Sequence, residues 1–287
     1  MKDSIEIIKD TDERYPRRLK EIKGCPKKLY VKGDSSLLDN PSIAIVGSRD
    51  IDQYGFEQAK RFSSFLSEQG LTVISGLARG VDTVAHEYSK DKKGKTIAVL
   101  ASGFNHIYPE ENKKLYNEII EEGGCIITEW EEDTPVDMNR FPKRNRIISG
   151  LSVATLVVEA KYKSGSTITA RYSMKQRKPV FCIPGNIDKV RSGGTNKLIS
   201  EGAYLVVSPS DILEILEYEG YNFTKEHKVK NEYMEIYQNI GTIPITPNEI
   251  SRITNKKVNE VNEILFMLEV DNFIKNIGAG KYVINER

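Results

Sequence analysis

The sequence has few of the residues that build disulfide frameworks or metal sites. It contains three cysteines and three histidines, and both sets are widely spaced along the chain. An odd number of distant cysteines argues against a disulfide framework and favours a reducing compartment. Because there is neither a Cys-x-x-Cys pair nor a histidine cluster, we expect no structural metal and no cofactor.

Long apolar runs are also missing. Hydrophobic residues make up 39% of the 287 positions, but no uninterrupted stretch is long enough to span a membrane. The first ten residues include several charged ones. No apolar signal core follows Met1. We therefore expect a cytoplasmic protein with a substantial hydrophobic core and no membrane partner.

A large net charge is absent as well, because the chain carries only +1 overall. The charges are unevenly distributed, however. Residues 101–139 contain 2 Lys/Arg against 10 Asp/Glu, whereas residues 140–200 contain 13 Lys/Arg against 2 Asp/Glu. The basic segment is suited to an anionic ligand, but a solvated surface with balanced charges fits the same composition.

Short β-branched runs alternate with helical stretches through most of the chain. Strands are predicted at residues 43–46, 71–74, 96–100, 125–128, 155–158, 179–183 and 204–207. Helices are predicted at residues 54–69, 80–90, 111–122, 147–151 and 167–177. This alternation is typical of βαβ units, and it predicts an α/β fold, an extended Rossmann-like domain with a mainly parallel sheet over residues 41–216. Residues 1–40 are expected to form a small N-terminal extension, with a short strand at 28–32.

The C-terminal part has a different pattern. Residues 217–231 are polar and are interpreted as a linker. Helices are predicted at 232–240 and at 258–268. Between them a capping box of Thr246 and Glu249 begins a short helix that ends at Ile253. A hairpin is predicted at 273–284. Three helices and a hairpin predict a small winged-helix domain over residues 232–287.

Ligands of open parallel sheets bind beyond the carboxyl ends of the strands, and this chain places small and basic residues there. Gly47-Ser48-Arg49 follows a strand and precedes a helix, so its amides and the Arg49 guanidinium are suited to phosphate. The pattern is not Gly-x-Gly-x-x-Gly, and a tight turn with a surface arginine remains the alternative. The turn at residues 76–80 (GLARG) is interpreted equally as a simple turn or as a binding element.

Two further segments carry candidate binding residues. Four cations lie within residues 140–146, where the candidates are Arg140, Phe141, Lys143, Arg144, Asn145 and Arg146. Lysine and arginine attract phosphates, and Phe141 is either a stacking face for a base or a core residue. Residues 159–167 end a strand and begin a helix, and their candidates are Lys161, Ser164, Gly165, Ser166 and Thr167. Helix capping by the hydroxyls is the alternative, and it is compatible with binding.

The motifs together form a recognisable series. In chain order they are Gly47-Ser48-Arg49, Tyr54-Gly55, 75–82 (SGLARGVD), 108–115 (YPEENKKL), 141–148 (FPKRNRII), Val158-Glu159-Ala160, 164–167 (SGST), Pro184-Gly185 and 193–203 (GGTNKLISEGA). In this order they resemble the DNA-processing protein A family, also called DprA or Smf, over about residues 15–213. Each motif alone is weak, whereas the ordered series is specific.

The resemblance implies a function. It implies single-stranded DNA held in a basic pocket without catalysis, a homodimer, and transfer of the DNA to the RecA recombinase during natural transformation. Arg49 would be the pocket arginine, and Lys113, Lys143, Arg144 and Arg146 would line the groove. Residues 196–213 match the part of the family near its dimer contact. The acidic residues at 110–111 and 129–133 are interpreted as a solvated face, so no catalytic residue is assigned.

Other functions remain open. The fold also resembles phosphoribohydrolases of the lysine-decarboxylase-like group, but these carry a Pro-Gly-Gly-x-Gly-Thr loop that residues 161–167 (KYKSGST) lack. A small-nucleotide sensor using the same pocket is a further alternative. In the C-terminal module, the candidate recognition stretch 256–271 has a net charge of −2, unlike a helix that enters the major groove. We therefore expect it to contact protein or to play an accessory role.

Overall fold

The computed structural model describes residues 4–218, 220–221, 231–270 and 273–284. Its backbone contacts divide the chain into two units, residues 1–224 and 225–287. The first unit is built on one nine-stranded sheet in the order β1-β2-β6-β5-β4-β3-β7-β8-β9. The strands are β1 (Glu6–Lys9), β2 (Lys28–Gly33), β3 (Ser42–Val46), β4 (Thr72–Ser75), β5 (Thr96–Val99), β6 (Cys125–Thr128), β7 (Ala154–Val157), β8 (Val180–Cys182) and β9 (Tyr204–Leu205).

The seven strands from β3 to β9 run parallel, which confirms the predicted α/β class and mainly parallel sheet. Every residue of β3, β4, β5, β6 and β7 is buried, as expected for a sheet covered on both faces. The helices of this unit are α1 (Arg17–Lys20), α2 (Gln53–Glu68), α3 (Val81–Glu87), α4 (Lys113–Glu121), α5 (Arg140–Leu151), α6 (Gly165–Lys175), α7 (Gly193–Ser200) and α8 (Pro209–Tyr218).

The strand order fixes where a ligand can bind. The chain proceeds from β3 through β4 and β5 to β6 on one side, and then returns to build β7, β8 and β9 on the other side of β3. The neighbours β3 and β7 therefore form the switch point of the sheet. Open α/β sheets bind their ligands in the crevice outside the carboxyl ends of the strands at such a point.

The N-terminal residues add two strands to the sheet, and β2 confirms the short strand predicted at 28–32. Strand β2 pairs antiparallel with β6, and β1 pairs antiparallel with β2 at the edge. The sequence pattern predicts an extension over residues 1–40 and a domain that starts at 41, without strand β1. The reason for the difference is physical: β1 has one buried residue in four, so its sequence lacks the apolar run of a central strand.

Helix α5 begins seven residues earlier than predicted. The sequence pattern predicts a helix from residue 147, whereas the structure has it from Arg140 to Leu151. Pro142 lies in the first turn, where a proline costs no helical hydrogen bond. The helix therefore includes the whole basic segment 140–146, and its side chains point in different directions around the axis. Helices α7 and α8 were not predicted.

The second unit is described by itself. It contains α9 (Asn231–Tyr237), α10 (Pro247–Thr254) and α11 (Val258–Val270), followed by the antiparallel strands β10 (Ile274–Asn276) and β11 (Tyr282–Ile284). The predicted capping box is confirmed, because the Thr246 hydroxyl accepts from the Glu249 amide and the Glu249 carboxylate accepts from the Thr246 amide. Three helices and a hairpin occur in the predicted order, and the winged-helix assignment stays a prediction. Most of the interpreted linker, 217–231, lies outside the described residues.

Among the helices in the described ranges, none has the length and apolar character needed to cross a membrane.

Candidate nucleic-acid interface

A cleft of about 420 Å³ lies at the switch point between β3 and β7, and we call it the first cleft. Three segments far apart in the chain form its walls: the turn after β3, helix α5 and the start of α6. Ten of the predicted site residues line it, namely Gly47, Ser48, Arg49, Phe141, Arg144, Asn145, Lys161, Ser164, Gly165 and Ser166. Met138, Ala78 and Asp82 also line it; none of them was among the predicted site residues, although Ala78 belongs to the 76–80 turn.

The first residue of α3 is hydrogen-bonded to the turn after β3. The Val81 amide donates to the Ser48 carbonyl at 3.1 Å, and the Ser48 hydroxyl donates to the Asp50 carbonyl at 2.6 Å. Gly80 has a φ of +76°, and a Cβ there would overlap the Ser48 carbonyl oxygen. The glycine of the 76–80 turn is therefore required for α3 to support the turn that carries Arg49.

Arg49 lies exposed on this turn. Its guanidinium is 5.2 Å from the centre of the Phe141 ring, within the range of a cation–π contact. Within the described residues it makes no ion pair, so its donors are available to an anion. Arg49 and the half-buried Phe141 ring thus place a cation beside an aromatic face at the mouth of the cleft.

The start of α6 forms the opposite wall. Ser164, Gly165 and Ser166 line the cleft at this helix start, and the Ser164 and Ser166 hydroxyls share a 2.5 Å hydrogen bond. Asn145 joins the two walls, because its amide donates to the Gly165 carbonyl at 3.2 Å. Thr167 is buried and donates to the Ser164 carbonyl at 2.7 Å, so it stabilises this turn without lining the cleft.

Arg144 has a different environment from the other basic residues. It is only 3% exposed, and its guanidinium donates to the carbonyls of Gly76, at 2.6 Å, and Val99. Burial lowers its pKa to about 10, and the nearby Asp82 carboxylate opposes that change. Burial in turn raises the pKa of Asp82, which accepts hydrogen bonds from the Gly76 and Ala78 amides. Arg144 thus forms part of the cleft floor and holds the 76–78 turn in place.

The remaining predicted residues lie outside the first cleft. Arg140 donates to the Pro135 carbonyl and lies over the Trp130 ring, and Arg146 pairs with Glu129 at 2.5 Å. Lys143 is exposed on α5 and, like Lys161, has no ion pair in the described part of the chain.

Lys113 lines a second cleft of about 780 Å³, which we define by Arg79, Asn105, His106, Ile107, Tyr108, Glu110, Glu111 and Lys113. The Tyr108 ring meets the Phe141 ring edge-on, with centroids 5.9 Å apart, so the two clefts adjoin at this aromatic pair. Arg79 was not among the predicted site residues; its only sequence signal was the 76–80 turn.

The first cleft offers little acid–base chemistry. Its carboxylates are Asp50 and Asp82. The Asp50 carboxylate accepts from the Arg191 guanidinium at 2.6 Å, and the Asp82 carboxylate accepts from the Gly76 and Ala78 amides. The described residues contain no group of three or more histidine, cysteine, aspartate or glutamate side chains arranged to hold a metal ion. The geometry is suited to binding an anion beside an aromatic ring.

Known proteins are similar to this chain in sequence and in fold. Residues 6–217 match the family model described as DNA recombination-mediator protein A. The chain is 35% identical to Protein Smf of Escherichia coli K12, over 96% of this chain and 76% of that protein. It is 39% identical to DNA processing protein DprA of Bacillus subtilis, over 77% and 74% of the two chains.

Two solved structures share the fold. The DprA structure from Streptococcus pneumoniae superposes with a TM-score of 0.70 and 38% identity, covering 74% of this chain and 75% of that one. A Helicobacter pylori DprA, whose structure is described in terms of its single-stranded DNA binding mode, gives 0.68 and 32%, covering 76% and 97%.

Proposed function

The chain belongs to the DNA recombination-mediator protein A family, also known as DprA or Smf, and on that basis we propose that it binds single-stranded DNA in the first cleft. The observation that carries the proposal is the convergence of unpaired cations, helix amides and an aromatic ring at the switch point. The Helicobacter pylori relative, with a single-strand binding mode, supports the ligand class.

The chemistry of the cleft favours a single strand over a duplex. Arg49 and Lys161 can bind phosphates, and the amides at the start of α6 add a further site for negative charge. Phe141 offers its ring to an unstacked base, which a duplex does not provide. Phosphate contacts and stacking do not read sequence, so we expect no sequence specificity.

Binding is tested by fluorescence anisotropy of a labelled oligothymidine with unlabelled duplex as competitor. Lys161→Ala should weaken binding severalfold, because one unpaired cation is lost from the cleft. Lys175→Ala is the matched control: Lys175 is exposed in the last turn of the same helix, about 15 Å along the axis from its start. Equal affinities for single strand and duplex, or equal effects of the two variants, would contradict the proposal.

The cellular role belongs to the same proposal. The protein would protect incoming single strands and load the RecA recombinase on them in natural transformation and recombination. The test is recombinase filament formation on DNA coated with single-strand-binding protein, with and without this chain. The wild type should accelerate filament growth and Arg49→Ala should not; no acceleration by the wild type would overturn the loading role and leave DNA binding intact.

A homodimer is proposed at the β9 edge of the sheet. This is the last strand, and Tyr204, Leu205 and Val207 are 42%, 51% and 63% exposed there. An exposed apolar edge strand is suited to pairing with a second chain. Leu205→Glu should convert a dimer to a monomer in analytical ultracentrifugation, and a wild-type monomer at all concentrations would refute the proposal.

A nucleotide-processing enzyme or a nucleotide sensor remains the second candidate on sequence grounds. The site does not favour the enzyme, because the first-cleft carboxylates already have partners and the α6 segment lacks the glycine-rich loop of the phosphoribohydrolases. Tight mononucleotide binding without oligonucleotide binding would favour the sensor, and release of a free base would favour the enzyme.

A further inference from the structure

The second cleft carries a cation that the first cleft does not use. Arg79 follows Ala78 in the chain, and Ala78 lines the first cleft while Arg79 lines the second. On the other side the two clefts meet at the Tyr108 and Phe141 rings. The contact between the Phe141 and Tyr108 rings thus connects the first cleft to the second, which Arg79 lines.

In residues 76–78, the turn that precedes Arg79, every main-chain amide and carbonyl is hydrogen-bonded to a side chain. Asp82 accepts from the amides of residues 76 and 78, and Arg144 donates to the carbonyl of residue 76. The buried His86 accepts from the Leu77 amide at 3.3 Å, and the Asn112 amide donates to the Leu77 carbonyl at 2.9 Å. The Thr83 hydroxyl donates to the Ala78 carbonyl at 2.8 Å.

These hydrogen bonds fix the turn that carries Arg79. Leu77 lies at a φ of +57°, which a leucine adopts only when its surroundings impose it. Burial lowers the pKa of His86 to about 3, so the imidazole stays neutral and remains an acceptor. A turn fixed by buried side chains presents Arg79 from a rigid base, which reduces the entropy that binding would cost.

The Arg79 side chain itself is exposed and bound to a carboxylate. It pairs with Glu111, and the two side chains are 61% and 60% exposed. An exposed ion pair contributes little to stability and is readily exchanged. A backbone phosphate carries the same single negative charge as a carboxylate and presents two oxygens that a guanidinium can bind together, whereas Arg79 holds Glu111 through one nitrogen, Nη2.

We propose that the second cleft continues the single-strand path, with Arg79 binding a backbone phosphate and Glu111 occupying that position until DNA displaces it. This inference rests on the proposed function and deepens it, because it assigns a second phosphate position and an internal competitor for it. Tyr108, 45% exposed beside Phe141, would supply the surface between the two positions. Lys113 would add charge beyond Arg79.

The test is anisotropy with oligothymidines from four to twenty nucleotides. Arg79→Ala should leave the affinity for the shortest ligands unchanged, because these fill only the first cleft, and should weaken the longest by about tenfold. The slope of log affinity against log salt should fall by about one for long ligands only. Arg79→Lys should recover part of the loss.

Substitution of Glu111, compared with substitution of Glu110, tests whether Glu111 competes with DNA for Arg79. Glu111→Gln should strengthen binding of long oligonucleotides, and Glu110→Gln should do so less. Both residues line the second cleft and lose one charge, but only Glu111 pairs with Arg79. Adding Glu111→Gln to Arg79→Ala should give no gain, because the competitor acts through the missing guanidinium; a gain that persists would show a long-range charge effect and overturn the competitor role.

The outcomes separate this inference from the proposed function. If the wild type binds no oligonucleotide of any length, the proposed function fails and the inference fails with it. In another outcome the wild type binds, Arg49→Ala weakens the affinity for oligonucleotides of every length, and Arg79→Ala weakens none. That result would support the first cleft as the DNA site and refute the second phosphate position. Arg79 is exposed, so thermal unfolding of Arg79→Ala should match the wild type.

Discussion

Glu159 should make the protein less stable as the pH rises from acid to neutral. It follows β7, is 3% exposed, and one of its carboxylate oxygens, Oε2, is buried without a hydrogen-bond partner. Burial and the neighbouring Asp52 raise its pKa from 4.5 to about 7, and the Arg191 charge opposes this. Tyr54 also lies within reach of its charge.

The folded and unfolded states bind different numbers of protons at Glu159. Between pH 4.5 and about 7 the folded state holds a proton on Glu159 that the unfolded state has released. The free energy of unfolding therefore falls as the pH rises through this window and stays lower above it. A change in pKa from 4.5 to about 7 corresponds to roughly 3 kcal/mol, as an upper figure.

The perturbation is Glu159→Gln, which stays neutral at every pH. The amide can also donate to Asp52, as a protonated Glu159 would. At pH 5 the variant should match the wild type, and at pH 8 it should be more stable by up to about 3 kcal/mol. The assay is urea unfolding from pH 5 to 8, followed by fluorescence of Trp130, the single tryptophan, which lies in the first unit.

A matched control tests the cause. Asp52→Asn keeps a side chain able to cap α2, where Asp52 accepts from the Gly55 amide at 3.1 Å, and it removes the charge facing Glu159. The pH dependence should therefore shrink but not vanish. If Glu159→Gln keeps the wild-type pH dependence, or is less stable at pH 8, the buried carboxylate is not the source and the reasoning is refuted.

Three further predictions follow from the cleft floor and the second unit. Arg144→Met should cost about 3–5 kcal/mol in urea unfolding, because the buried Gly76 and Val99 carbonyls lose their donor and the buried Asp82 loses a nearby positive charge; a loss below 1 kcal/mol would contradict this. Gly80→Ala should weaken single-strand binding and stability together, and unchanged anisotropy and melting would show that the turn tolerates a Cβ. Deleting residues 225–287 should leave single-strand affinity within about threefold; a large loss would assign the second unit a direct DNA contact.

The sheet could be predicted because its signal is local. Runs such as 43–46 and 125–128 are continuous and β-branched, and buried parallel strands require such runs. The edge strand β1 could not be recognised in the same way, because half of its pattern faces solvent. The start of helix α5 was predicted seven residues too far along the chain. Pro142 and four cations disfavour a helix by residue type, although the first turn of a helix tolerates them.

The site was predictable as a set of segments but not as a set of contacts. Residue type identified Arg49 and Lys161, which are exposed and unpaired in the described structure. It could not separate Arg144, which is buried on main-chain carbonyls, from Lys143, which is exposed one position earlier. Arg79 and Tyr108 became candidates only when the fold brought the second cleft against Phe141.

The salt dependence of single-strand binding tests the central claim most directly. Arg49→Ala should weaken oligothymidine binding at low salt and lower the slope of log affinity against log salt by about one, because one phosphate contact is lost. Arg171→Ala is the matched control, an exposed arginine on α6 that pairs with Glu201 at 3.6 Å and does not line the first cleft. A loss with Arg49→Ala alone would support the first cleft as the DNA site. Equal slopes and affinities for all three proteins would contradict it.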